Sequence, residues 1–356
     1  MPWRLRLGLR RAVCRESLHR LEGMAADDAT SACRSGAPDN RGEAAVTLAQ
    51  APVAGDASLA SLPERPASPR FGAPLQAWYP VAREAEARRG VRTRLHGRMI
   101  VLRRNEAGAI VAPHQPHLLV VVRAGLVWAR QDDGPGQVVP PLIEDPIGGG
   151  DLPMIACSEV EVETDYDQAV LGLVDPAHVP MVHDAWWWRA SSKRRVKTKQ
   201  YAPSPFGFTA TAADAFASAP AYALTGASRR IAIEFRLPST RIERVEAEGF
   251  RLVNLTTVTP TAPGSVTLRN TIYCSVTPMR ALHPFLSALG RAFLEQDARI
   301  LRRLESRPAP GHPLLFVGAP DQPSLWYYQC KAALSRATDD APFANPVRAT
   351  VLQWRT

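Results

Sequence analysis

IAIEFRLPSTRIERVEAEGFRLVNLTTVTPTAPGSVTLRNTIYCSV, residues 231–276, is the stretch on which the fold turns. Apolar and polar residues alternate through Ile231–Leu237, Arg241–Val245, Phe250–Val258 and Ser265–Val276, with turn signals at Glu248-Gly249 and Pro263-Gly264. Such alternation predicts an antiparallel meander, and a meander with one apolar face needs a cover. The next residues supply it. His283–Ser306 has Pro284 in a first-turn position, runs to Pro308, and carries Leu286, Leu289, Phe293, Ile300, Leu301 and Leu304 at helical spacing. An antiparallel sheet packed on one long helix is an α+β layer architecture.

Upstream, Val91–Leu95, Met99–Leu102, Ala109–Ala112 and Leu118–Ala129 read as short strands of a small all-β unit that ends near Pro153. Residues 1–20, MPWRLRLGLRRAVCRESLHR, hold six arginines and one acid, transit-like but too interrupted for a secretory signal. Residues 21–70 are rich in Ala, Ser, Pro, Gly and Asp and cannot bury enough apolar surface to offset chain entropy. The expected organisation is a disordered leader or over-extended start over 1–70, a small β domain over 71–156, and a sheet-and-helix domain over 157–356.

With 356 residues, 46% apolar and 22% charged, the composition is globular. The apolar run Leu118–Val122 is cut short by Arg123, and no run approaches the ~18 apolar residues of a membrane span. The formal charge of +9 would suggest nucleic acid. It is carried by arginine almost throughout, since the only lysines are Lys193, Lys197, Lys199 and Lys331, so a compositional bias explains it and no nucleic-acid partner is expected. The cluster Lys193–Lys199 could grip phosphates or an acidic partner, or be a solvated strand or loop face. Five scattered cysteines without C-x-x-C fit a reducing compartment, hence the cytoplasm, and argue against disulfides or structural zinc. Dinucleotide, Walker and nucleophile-elbow motifs are absent.

The long helix carries an anomaly. Asp297 lies four residues after Phe293 and three before Ile300, which sets a carboxylate on the apolar stripe. Burying an unpaired carboxylate is costly, so the position calls for a cation or metal. The plainer reading is a helix-edge acid that reaches solvent or pairs with Arg291 or Arg303. The stretch Asp175-Pro176-Ala177-His178-Val179-Pro180-Met181-Val182-His183 changes the weighing. Pro176 suits the first turn of a helix capped by Asp175, and Pro180 ends that turn. On an unbroken helix His178 and His183 would point about 140° apart; with the helix stopped, the chain can bend His183 back. The Asp175 carboxylate can hold a histidine ring N–H and orient it. Two histidines astride a helix-breaking proline, with a core-face acid elsewhere, suit a 2-His-1-carboxylate iron site with positions open to dioxygen.

The D-x-x-H-x4-H of Asp175, His178 and His183, followed by the helical acid of Phe293-Leu294-Glu295-Gln296-Asp297, resembles the catalytic domain of Rieske-type non-haem iron oxygenases. DPAHVPMVH (175–183) and WWWR (186–189) are most similar to alpha subunits of the pheophorbide a oxygenase and vanillate demethylase branch. The tail from Trp326-Tyr327-Tyr328 through Asn345-Pro346-Val347 to Val351–Arg355 is similar to bacterial members, so the resemblance spans 76–356. It implies a helix-grip domain with His178, His183 and Asp297 as ligands of a mononuclear Fe(II). It implies Asp175 as the bridge for electrons from a neighbouring subunit's cluster, and hence a homotrimer. The implied reaction is O2-dependent hydroxylation, dihydroxylation or demethylation of a hydrophobic or aromatic small molecule, with electrons from a reductase or ferredoxin. Trp186, Trp187 and Trp188 could line a pocket for a flat substrate or serve as core and interface packing.

The sequence departs from that family at the 2Fe–2S cluster. The family's C-x-H and C-x-x-H ligands do not occur, and no cysteine stands between Cys33 and Cys157. Trp78–Ala82, Met99–Leu102 and Asn105–Ala112 resemble the opening of the cluster domain, and Ala124–Ala129 its last strand. Between them stands only Pro113-His114-Gln115-Pro116-His117, whose histidines read as solvated turn residues rather than a metal pair. The implied protein is a Rieske-oxygenase-like alpha subunit with an intact iron site and a truncated, cluster-less Rieske domain. Its rivals are a non-catalytic helix-grip module that binds a hydrophobic ligand, and a regulatory subunit that joins family trimers.

Overall fold

The computed structural model describes residues 72–132, 152–178, 182, 196–211, 230–304, 315–338 and 340–355. The leader expected over 1–70, His183, Trp186, Trp187 and Trp188 lie outside the described residues. The architecture is α+β, with antiparallel sheets and few helices.

Strands β1 (Tyr79–Arg83), β2 (Val91–Leu95), β3 (Arg98–Arg104), β4 (Ile110–Val111), β5 (Leu118–Arg123) and β6 (Leu126–Gln131) form two three-stranded sheets, ordered β1-β6-β5 and β2-β3-β4. A short helix, α1 (Glu84–Ala87), follows β1. The single strand expected over Leu118–Ala129 is two strands. Ala124 and Gly125 take left-handed φ of 54° and 69° and reverse the chain between β5 and β6. Arg123 ends the apolar run and Gly125 is the local turn signal between the two strands.

Strands β7 (Met154–Glu163), β8 (Val196–Ser204), β9 (Gly207–Thr211), β10 (Arg230–Arg236), β11 (Thr240–Ala247), β12 (Phe250–Ala262), β13 (Ser265–Cys274) and β14 (Thr350–Arg355) form one eight-stranded sheet, ordered β14-β8-β9-β10-β11-β12-β13-β7. The expected meander is β10 to β13, and Gly249 and Gly264 supply its hairpin turns at φ 68° and 69°. Strand β7 pairs with β13 and β14 with β8 at long range, so no local turn announces them.

Helices α2 (Tyr166–Val174), α3 (His283–Leu301) and α4 (Gln322–Arg336) cover one face of this sheet. Tyr166, Ala169 and Val170 of α2 and Leu294, Ala298 and Leu301 of α3 share a core with Val160, Val258 and Leu268. Tyr327 of α4 meets Phe235 of β10 edge-on at 5.8 Å. The opposite face carries the N-terminal strands. Leu126 and Trp128 pack on Ile242, Leu255 and Tyr273, and Thr259 and Arg269 both donate to the Pro80 carbonyl, at 2.8 and 2.6 Å.

Helix α3 starts at His283 as expected and ends at Leu301 rather than Ser306. Its buried side is rotated from the expected stripe: Ile300 and Leu304 are 40% and 48% exposed. The cause is its seat on β7. At Gly290 a Cβ would stand 2.5 Å from Ser158 Oγ. Cys157 N–H donates to Ser287 Oγ (3.1 Å) and Ser158 Oγ to the Ser287 carbonyl (2.7 Å). Arg291 and Arg302 donate to the carbonyls of Glu159 and Glu161. The helix thus satisfies outward backbone groups of an edge strand that would otherwise stay open. No helix among the described residues is long and apolar enough to cross a membrane.

A buried carboxylate ties the helices together. Asp167, 5% exposed on α2, accepts from Tyr327 OH at 2.5 Å and from Lys331 Nζ, both on α4, and from Gly72 N–H at 2.6 Å. The Lys331 ammonium lies over the Tyr166 and Tyr327 rings, 5.8 and 5.5 Å from their centroids. Removing one partner of a buried pair strands the other charge. Lys331→Met is therefore expected to cost about 3–5 kcal/mol in urea unfolding, and Asp167→Asn added to it to recover part of that loss. Unfolding of Lys331→Met at the parent's midpoint would refute the anchoring role.

Candidate metal centre

The end of α2 builds one side of the centre. Asp175 N–H closes the last turn onto the Leu171 carbonyl at 2.9 Å, and ψ of 114° at Asp175 then turns the chain out of the helix. Asp175 thus closes α2, and its side chain also caps the next turn: Oδ1 accepts from Ala177 N–H at 2.7 Å. The His178 carbonyl accepts from Val182 N–H at 2.9 Å.

The His178 ring is held by a different atom from the one the sequence suggested. Its Nδ1 lies 2.7 Å from the Asp175 carbonyl oxygen, whereas the Asp175 carboxylate is engaged by Ala177. A carbonyl only accepts, so Nδ1 carries the proton and Nε2 is the lone-pair nitrogen. Burial pushes the His178 pKa down to about 4; the Asp175 hydrogen bond opposes this, and Arg241 and Lys199 add to it. The ring is therefore neutral at pH 7, the form that ligates metals.

Asp297 approaches from α3. It is half-buried, one turn after half-buried Phe293 and one turn before buried Leu301. Burial raises its carboxyl to about 7, against the opposing pull of Arg241. Arg291, offered by the sequence as its partner, donates to the Glu159 carbonyl and stands 3.9 Å from Glu295. Glu295, off the stripe as expected, also meets Arg302 at 3.3 Å.

The sheet contributes residues that the sequence did not single out as part of this site. Phe208, Phe235, Arg241, Thr256, Asn270 and Ser158 form one cross-strand row on the face that the helices cover. Arg241 binds Glu243 on the same strand at 2.9 Å. Its charge acts on His178, Asp297 and Lys199. Lys199 lies on β8, 7% exposed, with its ammonium 5.5 Å from the Trp354 ring centroid. Burial lowers its pKa to about 7, with Arg241 adding to the shift and Glu243 opposing it. The solvated-face reading of the basic cluster therefore fails at Lys199: along β8 it is Val196, Thr198 and Gln200 that face solvent. The Arg-x-Glu-x-Val alternation of Arg241, Glu243 and Val245 was the available signal, because a period of two puts two charges on one face with an apolar residue.

His114 and His117 are exposed on a turn, with Gln115 N–H bonded to the Ala112 carbonyl and Leu118 N–H to the Gln115 carbonyl. Among the described residues no three His, Cys, Asp or Glu side chains gather as a metal site. His183 is outside those residues, so the 2-His-1-carboxylate set has two members placed here. Their chemistry fits a divalent cation. One is a neutral imidazole with its far nitrogen fixed by a carbonyl, and the other a buried carboxyl whose ionised form a cation would stabilise.

The chain matches no protein-family model and no curated protein. Solved structures do resemble it. NdmA of Pseudomonas putida with caffeine aligns with a TM-score of 0.56 at 12% identity, over 78% of this chain and 96% of that one. NdmB of the same organism gives 0.55 at 14%, again over 78% and 96%. Dicamba monooxygenase bound to dicamba gives 0.53 at 15%, over 72% and 97%, and the same enzyme with non-heme iron and dicamba gives 0.51 at 14%, over 74% and 97%. At these identities the likeness is one of fold, and the fold is that of the Rieske-type non-haem iron oxygenases.

Proposed function

We propose that this chain is an iron-dependent oxygenase that acts on a hydrophobic or aromatic compound at a mononuclear site made by His178, His183 and Asp297. The reading is supported by His178, a neutral imidazole just past the end of α2, and by Asp297, a half-buried carboxyl on α3, both within the electrostatic influence of Arg241. Ferrous iron bound there would supply the redox chemistry of oxygen activation, which no side chain provides. The chain's own residues do the rest. The Asp175 carbonyl holds the His178 ring in one tautomer, while its carboxylate caps the turn that leads toward His183. Leu286, Leu289 and Phe293, half-buried on α3, offer apolar surface, and Trp186, Trp187 and Trp188 are the further pocket candidates in this reading.

The strands from Tyr79 to Gln131 are, on this proposal, a truncated cluster domain, and the sheet with α2, α3 and α4 is the catalytic domain. Without C-x-H and C-x-x-H, 2Fe–2S ligands are missing from the sequence. Asp175 would receive electrons from outside the chain, through a reductase, a ferredoxin or a cluster-bearing subunit, with the homotrimer as the assembly. One observation favours a second reading. Arg241 acts on Asp297 in the place of a metal's charge, which suits a non-catalytic module that holds a hydrophobic ligand.

Metal analysis separates the two. The oxygenase reading expects about one iron per chain after anaerobic loading with Fe(II), and no Rieske-type absorption or EPR signal. A chain that takes up no iron would leave the binding module standing.

Asp297→Ala is expected to lose iron while the fold persists, because an acid on a buried helix face destabilises unless it is compensated. Glu295→Ala, on the surface with Arg302, is expected to keep it. Parent-like iron content in Asp297→Ala would remove Asp297 from the ligand set.

Activity is expected to depend on the oxidant. Hydrogen peroxide brings oxygen already reduced by two electrons, so hydroxylation with it releases water and needs no reductase. Iron-loaded protein is expected to hydroxylate a flat aromatic probe slowly with peroxide, and to show no sustained turnover with NADH and a reductase. Sustained NADH-driven product would show that electrons reach the iron by a route that needs no 2Fe–2S cluster in this chain.

A further inference from the structure

His96 and Gly97 make the turn between β2 and β3, with φ of 50° and 80°. Their backbone N–H groups donate to the carbonyls of Pro260 and Thr261 on β12, at 2.9 and 2.8 Å. The turn therefore holds the N-terminal strands to the large sheet. A left-handed φ is uncommon for a residue with a Cβ, and it is kept only where surrounding contacts fix it. The contacts here are the two hydrogen bonds and the Tyr79 ring, which the imidazole meets edge-on at 5.4 Å. Tyr79 is buried and in turn meets Tyr166, the first residue of α2, at 6.1 Å.

One atom of the imidazole stays unsatisfied. Its Nε2 is buried and has no hydrogen-bond partner. The Tyr79 hydroxyl donates elsewhere, to the Pro74 carbonyl at 3.0 Å. The other charged or titratable groups on the elements around this turn are Arg98 on β3, Tyr166 and Asp167 on α2, and Glu161 on β7. Glu161 accepts from the Thr261 and Ser265 hydroxyls at 3.4 and 3.2 Å. Among the described residues none of these groups pairs with Nε2. Protonation would add a charge to the ring and oblige Nε2 to donate, leaving a buried cation without an acceptor. Burial and the Arg98 guanidinium both oppose that proton and hold the His96 pKa down at about 4.

We propose that His96 is an acid-sensitive latch: as a neutral ring it seats the β2–β3 turn on β12, and on protonation it leaves that seat and loosens Tyr79 against Tyr166 at the start of α2. The seated ring binds a proton less readily than a free one. The latch is therefore at full strength above the ordinary histidine value of 6.5 and weakens as the pH falls from there toward about 4. It needs no iron and does not depend on the oxygenase reading.

Hydrogen exchange of the full chain tests the latch, read over residues 91–104 and over α4, with rates scaled to those of free peptide at each pH. Between about pH 7 and about pH 4.5, protection of 91–104 is expected to fall at least ~10-fold while α4 keeps its own. His96→Phe keeps a ring that cannot take a proton, and it is expected to lose this pH dependence. His96→Asn, which tolerates a left-handed turn, is expected to lose it as well. His178 and Asp297 also have shifted pKa values, of about 4 and about 7, but both remain in the variants, so the difference between parent and variant belongs to His96. NMR titration of the His96 ring in the parent chain, expected to show protonation well below 6.5, keeps the test whole if a variant fails to fold. Unchanged protection of 91–104 at the lower pH, the same loss in folded His96→Phe, a parallel loss in α4, or a ring that titrates at its ordinary value overturns the proposal.

Discussion

Asp167 is the constraint on which the candidate centre depends. It is the second residue of α2, and its carboxylate gathers a phenol and an ammonium from α4 and a backbone N–H from the start of the described chain. A buried ion pair is a poor source of net stability, because desolvation consumes most of the Coulombic gain. Its worth here is directional. Three donors from two segments fix the position and rotation of α2, and α2 ends at the turn that carries Asp175 and His178.

The second arm is fixed by an edge rather than by a core. Strand β7 leaves outward N–H and C=O groups that need partners, and α3 supplies them through Ser287, Arg291 and Arg302. Gly290 lets the helix come close enough to do so. That seat sets the rotation of α3. Ile300 and Leu304 turn outward, and Asp297 lies at the margin between buried Leu294 and Leu301 and half-buried Phe293. An acid at a margin can keep its carboxylate directed at a neighbour from another element.

Burial and charge act on both arms. His178 is kept neutral by burial, and the ionised form of Asp297 is disfavoured by it. The sheet answers with Arg241, Lys199 and Glu243 on the face that the helices cover. Helix-covered faces of sheets are ordinarily apolar, as Val160, Val258 and Leu268 are in this one.

The sequence by itself determined the meander and its cover. Period-two alternation from Ile231 to Val276, glycines at both hairpin turns and Pro284 at a helix start are local facts, and local geometry obeys them. It also determined that Asp297 is an acid near apolar helix positions, and that Pro176 and Pro180 flank His178. It did not determine β7, β8, β9 or β14, or the split of β5 from β6. Strands β7 and β14 pair at long range, which leaves no local mark; β8 and β9 form a local hairpin in a stretch whose basic residues and prolines mask it. Only the tertiary structure decided that the Asp175 carbonyl, and not its carboxylate, holds the His178 ring. Tertiary structure also decided that Lys199 points inward on a strand whose composition reads as solvated, and that Arg241 lies on the sheet face that the helices cover. Those are distances between elements, and a chain sets them only when its sheet register and helix seats are fixed together.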